Sequence, residues 1–162
     1  AATTVNRANR VNEMVEALLV MRQNYVSLYK GQDPVTNEDI TAVMIQTKSI
    51  PDNLHDSTKA WTSWGAPMTM FRDTTGCNST NDRLRVYFDY PDNATCINLV
   101  QRIFQTNKTA NSSNEIISQI WFSQENLYLS VGSNGATPAL AYSYAQAHCP
   151  LNSRLSILFC MP

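Results

Sequence analysis

The chain has 162 residues, 43% of them hydrophobic and only 15% charged, and its formal net charge is −1 at pH 7. This length is typical of one domain with a core of its own, here residues 1–162. The near-neutral charge argues against a nucleic-acid surface, which normally carries a basic stripe. No stretch approaches the roughly 20 apolar residues that a membrane-spanning helix needs.

The first predicted element is a long helix over residues 5–29. Its apolar residues recur at the i, i+3, i+4 and i+7 positions of one helical face, and Gly31 stands where a helix stop is expected. A helix of this length spans about 35 Å and is roughly twice the average for globular proteins. We expect a sheet to cover the apolar face, which comprises Val11, Met14, Val15, Leu18, Tyr25 and Leu28.

The rest of the chain is predicted to mix short helices with strands. A helix over 37–48, with Thr36 as its N-cap, is ended by Pro51. Loops are predicted at 55–62, 72–82 and 107–114, strands at 68–71, 84–90, 127–131 and 155–160, and helices at 95–105 and 137–148. The segment 115–122 fits a helix by spacing and a strand by composition, and both remain open. The predicted fold class is α+β, with the long helix packed on a mostly antiparallel sheet.

Two disulfides are predicted from the four cysteines, which are Cys77, Cys96, Cys149 and Cys160. They have no C-x-x-C spacing, and only two histidines are present to assist them, so disulfides are favoured over a zinc site. Disulfides indicate an oxidising compartment. The residues alone leave all three pairings open.

Catalysis has little support in the sequence. His55 lies in a polar loop, and His148 stands near a helix C-terminus, where histidine more often makes a favourable contact with the helix dipole. No Gly-x-Ser-x-Gly elbow, phosphate-binding loop or carboxylate pair is found. Trp61, Trp64 and Trp121 are candidates for a sugar site, although large aromatic residues usually belong to the core. We predict no enzymatic activity, no cofactor and no metal.

Several motifs carry a resemblance to a known family. The long helix ends in VSLYKGQ at 26–32, and IPDNL at 50–54 and TSWG at 62–65 lead into the sheet. Near the C-terminus, NATC at 93–96 opens one helix, and 141–149 closes another before the last strand. The chain resembles a type IVb pilin lacking the N-terminal hydrophobic half of its helix. It is most similar to the thin-pilus major pilins of enteric bacteria and conjugative plasmids, although its four cysteines exceed their single pair.

The resemblance implies a structural subunit that polymerises with copies of itself into a type IVb pilus. Residues 1–30 would be the C-terminal half of the long helix, 31–65 the connection to the sheet, and 66–162 the sheet with a disulfide-bounded D-region. Such a filament serves adhesion, aggregation or mating-pair contact, so a host-cell or recipient-cell receptor is an implied partner. The implied location is an extracellular pilus on the bacterial surface.

The resemblance also implies features of the precursor. Because the chain begins without Met, we expect it to be part of a longer protein, with a basic leader, a peptidase site and about 25 apolar residues before Ala1. That segment would anchor the subunit in the inner membrane, facing the periplasm, before assembly. By resemblance, one disulfide joins Cys96 to Cys149, which leaves Cys77 with Cys160.

Two other functions are kept beside this prediction. A minor pilin or a secretion-system pseudopilin would share the architecture. From a different class, a secreted carbohydrate-binding or hydrolytic domain would use Trp61, Trp64 and the Asn-rich loops.

Overall fold

The long helix predicted from the sequence is confirmed in the computed structural model, which describes residues 2–33, 37–74, 82–109, 119–130 and 138–160. Helix α1 runs over Ala2–Tyr29. It ends because Gly31 adopts a left-handed conformation with φ of +83°, which only glycine takes readily. None of the helices in the described ranges has the length and apolar composition needed to cross a membrane.

Within the described residues, seven strands form a single sheet beside this helix. The strands are β1 (Glu38–Asp39), β2 (Ala60–Trp61), β3 (Pro67–Asp73), β4 (Arg83–Asp89), β5 (Gln119–Phe122), β6 (Leu127–Ser130) and β7 (Arg154–Cys160). Their order is β1-β3-β4-β7-β5-β6, with β2 also paired to β3, and every pairing between these strands is antiparallel. The last strand of the chain therefore lies inside the sheet, which explains why 155–159 are all buried.

Shorter helices complete the described fold. They are α2 (Thr41–Gln46), α3 (Asn93–Thr109) and α4 (Pro138–His148), with 3-10 turns at Asp52–Leu54 and Cys149–Leu151. Strand β4 shows why the sheet has a buried and a partly exposed face, since Leu84, Val86 and Phe88 are buried while the residues between them are not. The buried face joins α1 and α3 in one hydrophobic core. This is the predicted α+β architecture.

The helix predicted over 37–48 begins later, at Thr41. Glu38 and Asp39 instead pair with β3, and the Asp39 carboxylate accepts a hydrogen bond from the Thr41 amide at 3.0 Å. Asn37 has φ of 55°, which is incompatible with a helix at that point. The predicted cap Thr36 lies outside the described residues.

Other elements also differ from the sequence prediction. The loop predicted over 55–62 contains β2, whose Ala60 pairs with Met68. Strand β3 continues through Arg72 and Asp73, into the loop predicted over 72–82, and helix α3 extends to Thr109, into the loop predicted from 107. In the open segment 115–122, the described part is strand β5, while 115–118 lie outside the described residues.

Candidate functional site

Helix α1 presents two different surfaces. Of the predicted packing face, Val11, Met14, Val15, Leu18 and Tyr25 are buried, and Leu28 is partly buried against the core. The opposite side is exposed and mainly polar, and it contains Glu16, Val20, Gln23 and Ser27. From Asn6 onward, the helix is therefore fixed on one side and accessible on the other.

A buried polar cluster fixes the C-terminal end of α1 to the sheet. The Tyr25 hydroxyl donates a hydrogen bond to the Asp82 carboxylate, and the Arg72 guanidinium binds the same carboxylate at 2.9 Å. Arg72 also donates to the Gln32 carbonyl at 2.7 Å and lies 4.5 Å from the centre of the Tyr29 ring. Burial, and then the bond to Asp82, raise the pKa of the Tyr25 phenol, so Tyr25 stays a donor.

This cluster was missed by sequence reasoning. Arg72 and Asp82 are both almost fully buried, and Arg83 and Asp73 form a second buried pair beside them, at 2.8 Å. The available signal was the alternation of β3, which places Arg72 on the same face as the buried Met68 and Met70. A buried arginine needs a carboxylate partner, but its partner stands 10 residues away across 75–81, outside the described residues.

A disulfide joins Cys96 to Cys149, the pair that the resemblance implies. Their Cα atoms are 5.9 Å apart, the two residues are separated by 53 positions, and both are fully buried. The bond connects the first turn of α3 to the residue that follows α4. Cys160 is also disulfide-bonded, and its predicted partner, Cys77, lies outside the described residues.

A second polar network surrounds this disulfide. The Tyr90 hydroxyl donates to the carbonyls of Cys149, at 2.7 Å, and Asn152. The Asn152 side chain donates to the Glu125 carboxylate at 2.6 Å and to the His148 carbonyl at 2.9 Å. Burial, and then the charge of Glu125, raise the pKa of the Tyr90 phenol. The turn between β5 and β6 is thereby bound to the end of α4.

The two histidines occupy separate places. His148 Nδ1 lies 3.0 Å from the Glu125 carboxylate within this network. His55 Nδ1 lies 2.8 Å from the Asp56 carbonyl, in the turn before β2. Among the residues that the structure describes, no group of three or more His, Cys, Asp or Glu side chains is arranged to hold a metal ion.

The three tryptophans do not share a site. Trp61 lines a groove at the β1–β2 edge of the sheet, together with residues of α2. Trp64 donates to the Asp89 carbonyl at 2.9 Å, packs edge-on against Phe88 and lines a different groove. Trp121 stacks on Tyr128, with ring centres 5.5 Å apart. Because Trp61 and Trp64 line different grooves, the two residues do not form one sugar site together.

Aromatic and arginine side chains cross the face of the sheet opposite the core. The Arg85 guanidinium lies 4.8 Å from the centre of the Phe71 ring and 5.7 Å from that of Trp121. Tyr128 continues the row on β6, so planar groups from four strands are in contact. Contacts of this kind stabilise a sheet across its strands.

The whole arrangement was compared with known proteins. No protein-family model matches the chain, and no curated protein matches its sequence. The crystal structure of a type IV b pilin from Salmonella typhi superposes with a TM-score of 0.57. The match covers 90% of this chain and 95% of that chain at 17% sequence identity, so what is shared is the fold. The chain has the fold of a type IVb pilin, with the long helix against an antiparallel sheet that the sequence resemblance implied.

Proposed function

We propose that this chain is a non-catalytic structural subunit of a type IVb pilus. The observation that carries the proposal is the structural likeness to a type IV b pilin, which spans 90% of the chain. Two features are consistent with it. Helix α1 is packed on the sheet along one side only, and the Cys96–Cys149 disulfide closes the α3–α4 region. We assign residues 1–30, 31–65 and 66–162 to the helix, the connection and the sheet with its D-region.

The proposed partner is a second copy of the same chain. An open filament requires one heterologous contact that repeats without closing into a ring. The exposed side of α1 is the surface that we assign to this contact. It carries Val20, a large apolar side chain that is 42% exposed in the isolated subunit. Burial of such a side chain between subunits favours association.

The proposed location is the bacterial surface, after assembly. Before assembly, an apolar segment preceding α1 would anchor the subunit in the inner membrane with the sheet domain in the periplasm. The filament would serve adhesion, aggregation or mating-pair contact through a receptor on a host or recipient cell. The Cys96–Cys149 disulfide is suited to these oxidising surroundings.

Paired substitutions in a producing cell test the assembly proposal. Val20→Arg places a charge on the exposed side of α1, whereas Val43→Arg places one on α2, where Val43 is similarly exposed, at 38%. We expect Val20→Arg to reduce the filament yield at least tenfold and Val43→Arg to leave it unchanged, with both subunits folded. Equal yields from the two variants would contradict the assignment of this surface.

Electron microscopy separates a major subunit from the alternatives that share the fold. Loss of all filaments on gene deletion, with antibody label along their whole length, is expected of a major pilin. Label at the tips alone would assign the chain as a minor pilin. A periplasmic location with intact filaments after deletion would assign it as a secretion-system pseudopilin.

A further inference from the structure

The β1–β2 edge of the sheet carries a groove that the assembly proposal does not use. It lies between the segment leading into α2 and the turn that joins β2 to β3, and its volume is about 460 Å³. This volume falls within the range of about 300–1,000 Å³ that is typical of small-molecule sites. The groove is lined by both apolar and polar residues, among them Asp39, Lys59, Trp61, Met68 and Thr69.

Trp61 is one of the residues that line the groove, and its side chain also packs against the hydrophobic core. The ring is half-buried, and its Nε1–H donates to the Asn53 carbonyl at 3.3 Å, which fixes its orientation. Trp61 also pairs with Pro67 in the sheet, so its backbone is held in place. A fixed aromatic ring binds flat, weakly polar surfaces at a low cost in conformational entropy.

The polar groups of the groove are balanced in charge. Asp39 uses one carboxylate oxygen to bind the Thr41 amide and is otherwise exposed. Lys59 is exposed, and within the described part of the chain its ammonium group is in no ion pair. One acid and one base give the groove no net charge, yet they supply an acceptor and a donor of hydrogen bonds.

The backbone of β3 does not offer this edge to an added strand. The Ile40 amide donates to the Met70 carbonyl at 2.9 Å, and the Met70 amide donates to the Thr41 hydroxyl at 2.9 Å. Met68, two residues earlier, faces Ala60 of β2. Because these backbone groups are already paired, an extended peptide would gain no ladder of hydrogen bonds here.

We propose that this groove binds a neutral pyranose sugar. The C–H face of a pyranose would stack on Trp61, since the negative face of an aromatic ring attracts the weakly positive C–H groups. Ring hydroxyls would donate to Asp39 and accept from Lys59. The uncharged ligand matches the balanced charge of the groove. The proposal does not depend on filament formation, because all of its groups belong to one subunit.

Titration of the 162-residue chain with named sugars tests the proposal. The probes are lactose, N-acetyllactosamine and maltose, with sialyllactose as an acidic comparison, followed by NMR through the indole N–H signal of Trp61. We expect saturable binding of at least one neutral sugar with a Kd of roughly millimolar order, accompanied by a shift of that signal. Binding of sialyllactose alone, or no saturable shift with any neutral sugar, would overturn the proposal.

Variants locate the binding. Because Trp61→Leu has no indole signal at this position, the variants are followed through backbone amide signals. Trp61→Leu should weaken the affinity at least tenfold, whereas Trp121→Leu, at the opposite end of the sheet, should leave it unchanged. Asp39→Asn keeps the oxygen that binds the Thr41 amide but removes the charge, so it should weaken binding severalfold in a fully folded protein. If Asp39→Asn and Trp61→Leu both bind the sugar as tightly as the unaltered chain does, the sugar binds at another site. Because a purified subunit is titrated, these results are independent of filament yield in cells.

Discussion

Tyr25, on the buried side of α1, donates its hydroxyl hydrogen bond to Asp82, which lies 57 residues further along the chain and directly before β4. Asp82 is shared with Arg72 of β3, so one carboxylate connects the helix to two strands. Hydrogen bonds to a buried charge are stronger than those between neutral groups. When the donor is removed, the buried carboxylate is left without that bond, and this lowers the stability of the fold. This contact, together with those of Arg72 to the Gln32 carbonyl and the Tyr29 ring, holds the end of the long helix on the sheet.

Removal of the Tyr25 hydroxyl should destabilise the subunit. Tyr25→Phe keeps the buried ring but takes one donor from Asp82, so we expect the free energy of unfolding to fall by about 2 kcal/mol. Urea denaturation measures the change. The matched control is Tyr142→Phe, since Tyr142 is exposed and its hydroxyl only accepts a bond from Gln146; its effect should stay below about 0.5 kcal/mol. Equal effects of the two substitutions would contradict the anchoring role.

The Asp92 carboxylate should make stability depend on pH. Partial burial by itself would raise its pKa, but the hydrogen bonds from the Thr95 amide, at 2.8 Å, and the Thr95 hydroxyl act together with the charge of Arg7 to lower the pKa below 3.8. A carboxylate whose pKa is lower in the folded than in the unfolded chain stabilises the fold at pH values above its unfolded-state pKa. This stabilisation is lost as the pH falls through its folded-state pKa.

Asp92→Asn isolates this contribution, since asparagine can still cap α3 but carries no charge. We expect the variant to be less stable than the unaltered chain by about 0.5 kcal/mol at neutral pH, and the difference to vanish in acid. Urea denaturation at pH values from about 7 down to about 3 follows it. Asp33→Asn, at an exposed position after α1, is the control. If Asp92→Asn is destabilised by the same amount at about pH 7 and at about pH 3, the charge of Asp92 does not have this role.

The Cys96–Cys149 disulfide should contribute a large part of the stability. A bond that joins residues 53 apart restricts the unfolded chain by about 4 kcal/mol. Replacing both cysteines by alanine should lower the free energy of unfolding by that order and increase hydrogen exchange between 93 and 149, while α1 stays protected. Unchanged hydrogen exchange in α3 and α4, or an equal increase of exchange in α1, would show that the bond does not hold this region specifically.

Asn152 should be the residue on which the turn between β5 and β6 depends. Asn152→Ala removes donors from Glu125 and from the His148 carbonyl, so we expect a loss of about 2 kcal/mol. Thermal and urea denaturation measure it. Asn98→Ala, at a half-buried position of α3, should change stability by less than about 0.5 kcal/mol. A smaller loss from Asn152→Ala than from Asn98→Ala would rule out the proposed role of the network.

The elements that sequence reasoning found are those with a repeated pattern. Helix α1 and strand β4 each show a clear periodicity, because one side of each faces the core. Strands β1 and β2 have only two residues each, which is too short for any period. They form because the edge of β3 is available to pair with them, and that is a property of the folded chain.

The buried polar cluster of Tyr25, Arg72 and Asp82 could not be predicted either, because it also depends on the folded chain. Arg72 and Asp82 are ordinary charged residues in the sequence, and their burial follows from long-range contacts that bring β3, β4 and α1 together.

The tryptophans are conspicuous in the sequence, but their spacing does not predict where their rings lie. Trp61 and Trp64 are close in sequence, yet the turn between them directs the two rings into different grooves. Composition suggested one aromatic site, whereas in the structure Trp61 is the one tryptophan among the residues that line its groove.

The composition of purified surface filaments tests the central claim most directly. Filaments sheared from producing cells should contain this chain as their main protein by mass spectrometry, and cryo-electron microscopy should show its sheet domain repeated along the axis with the exposed side of α1 against a neighbouring copy. Filaments of the same number and shape that lack this chain would contradict its assignment as a pilus subunit.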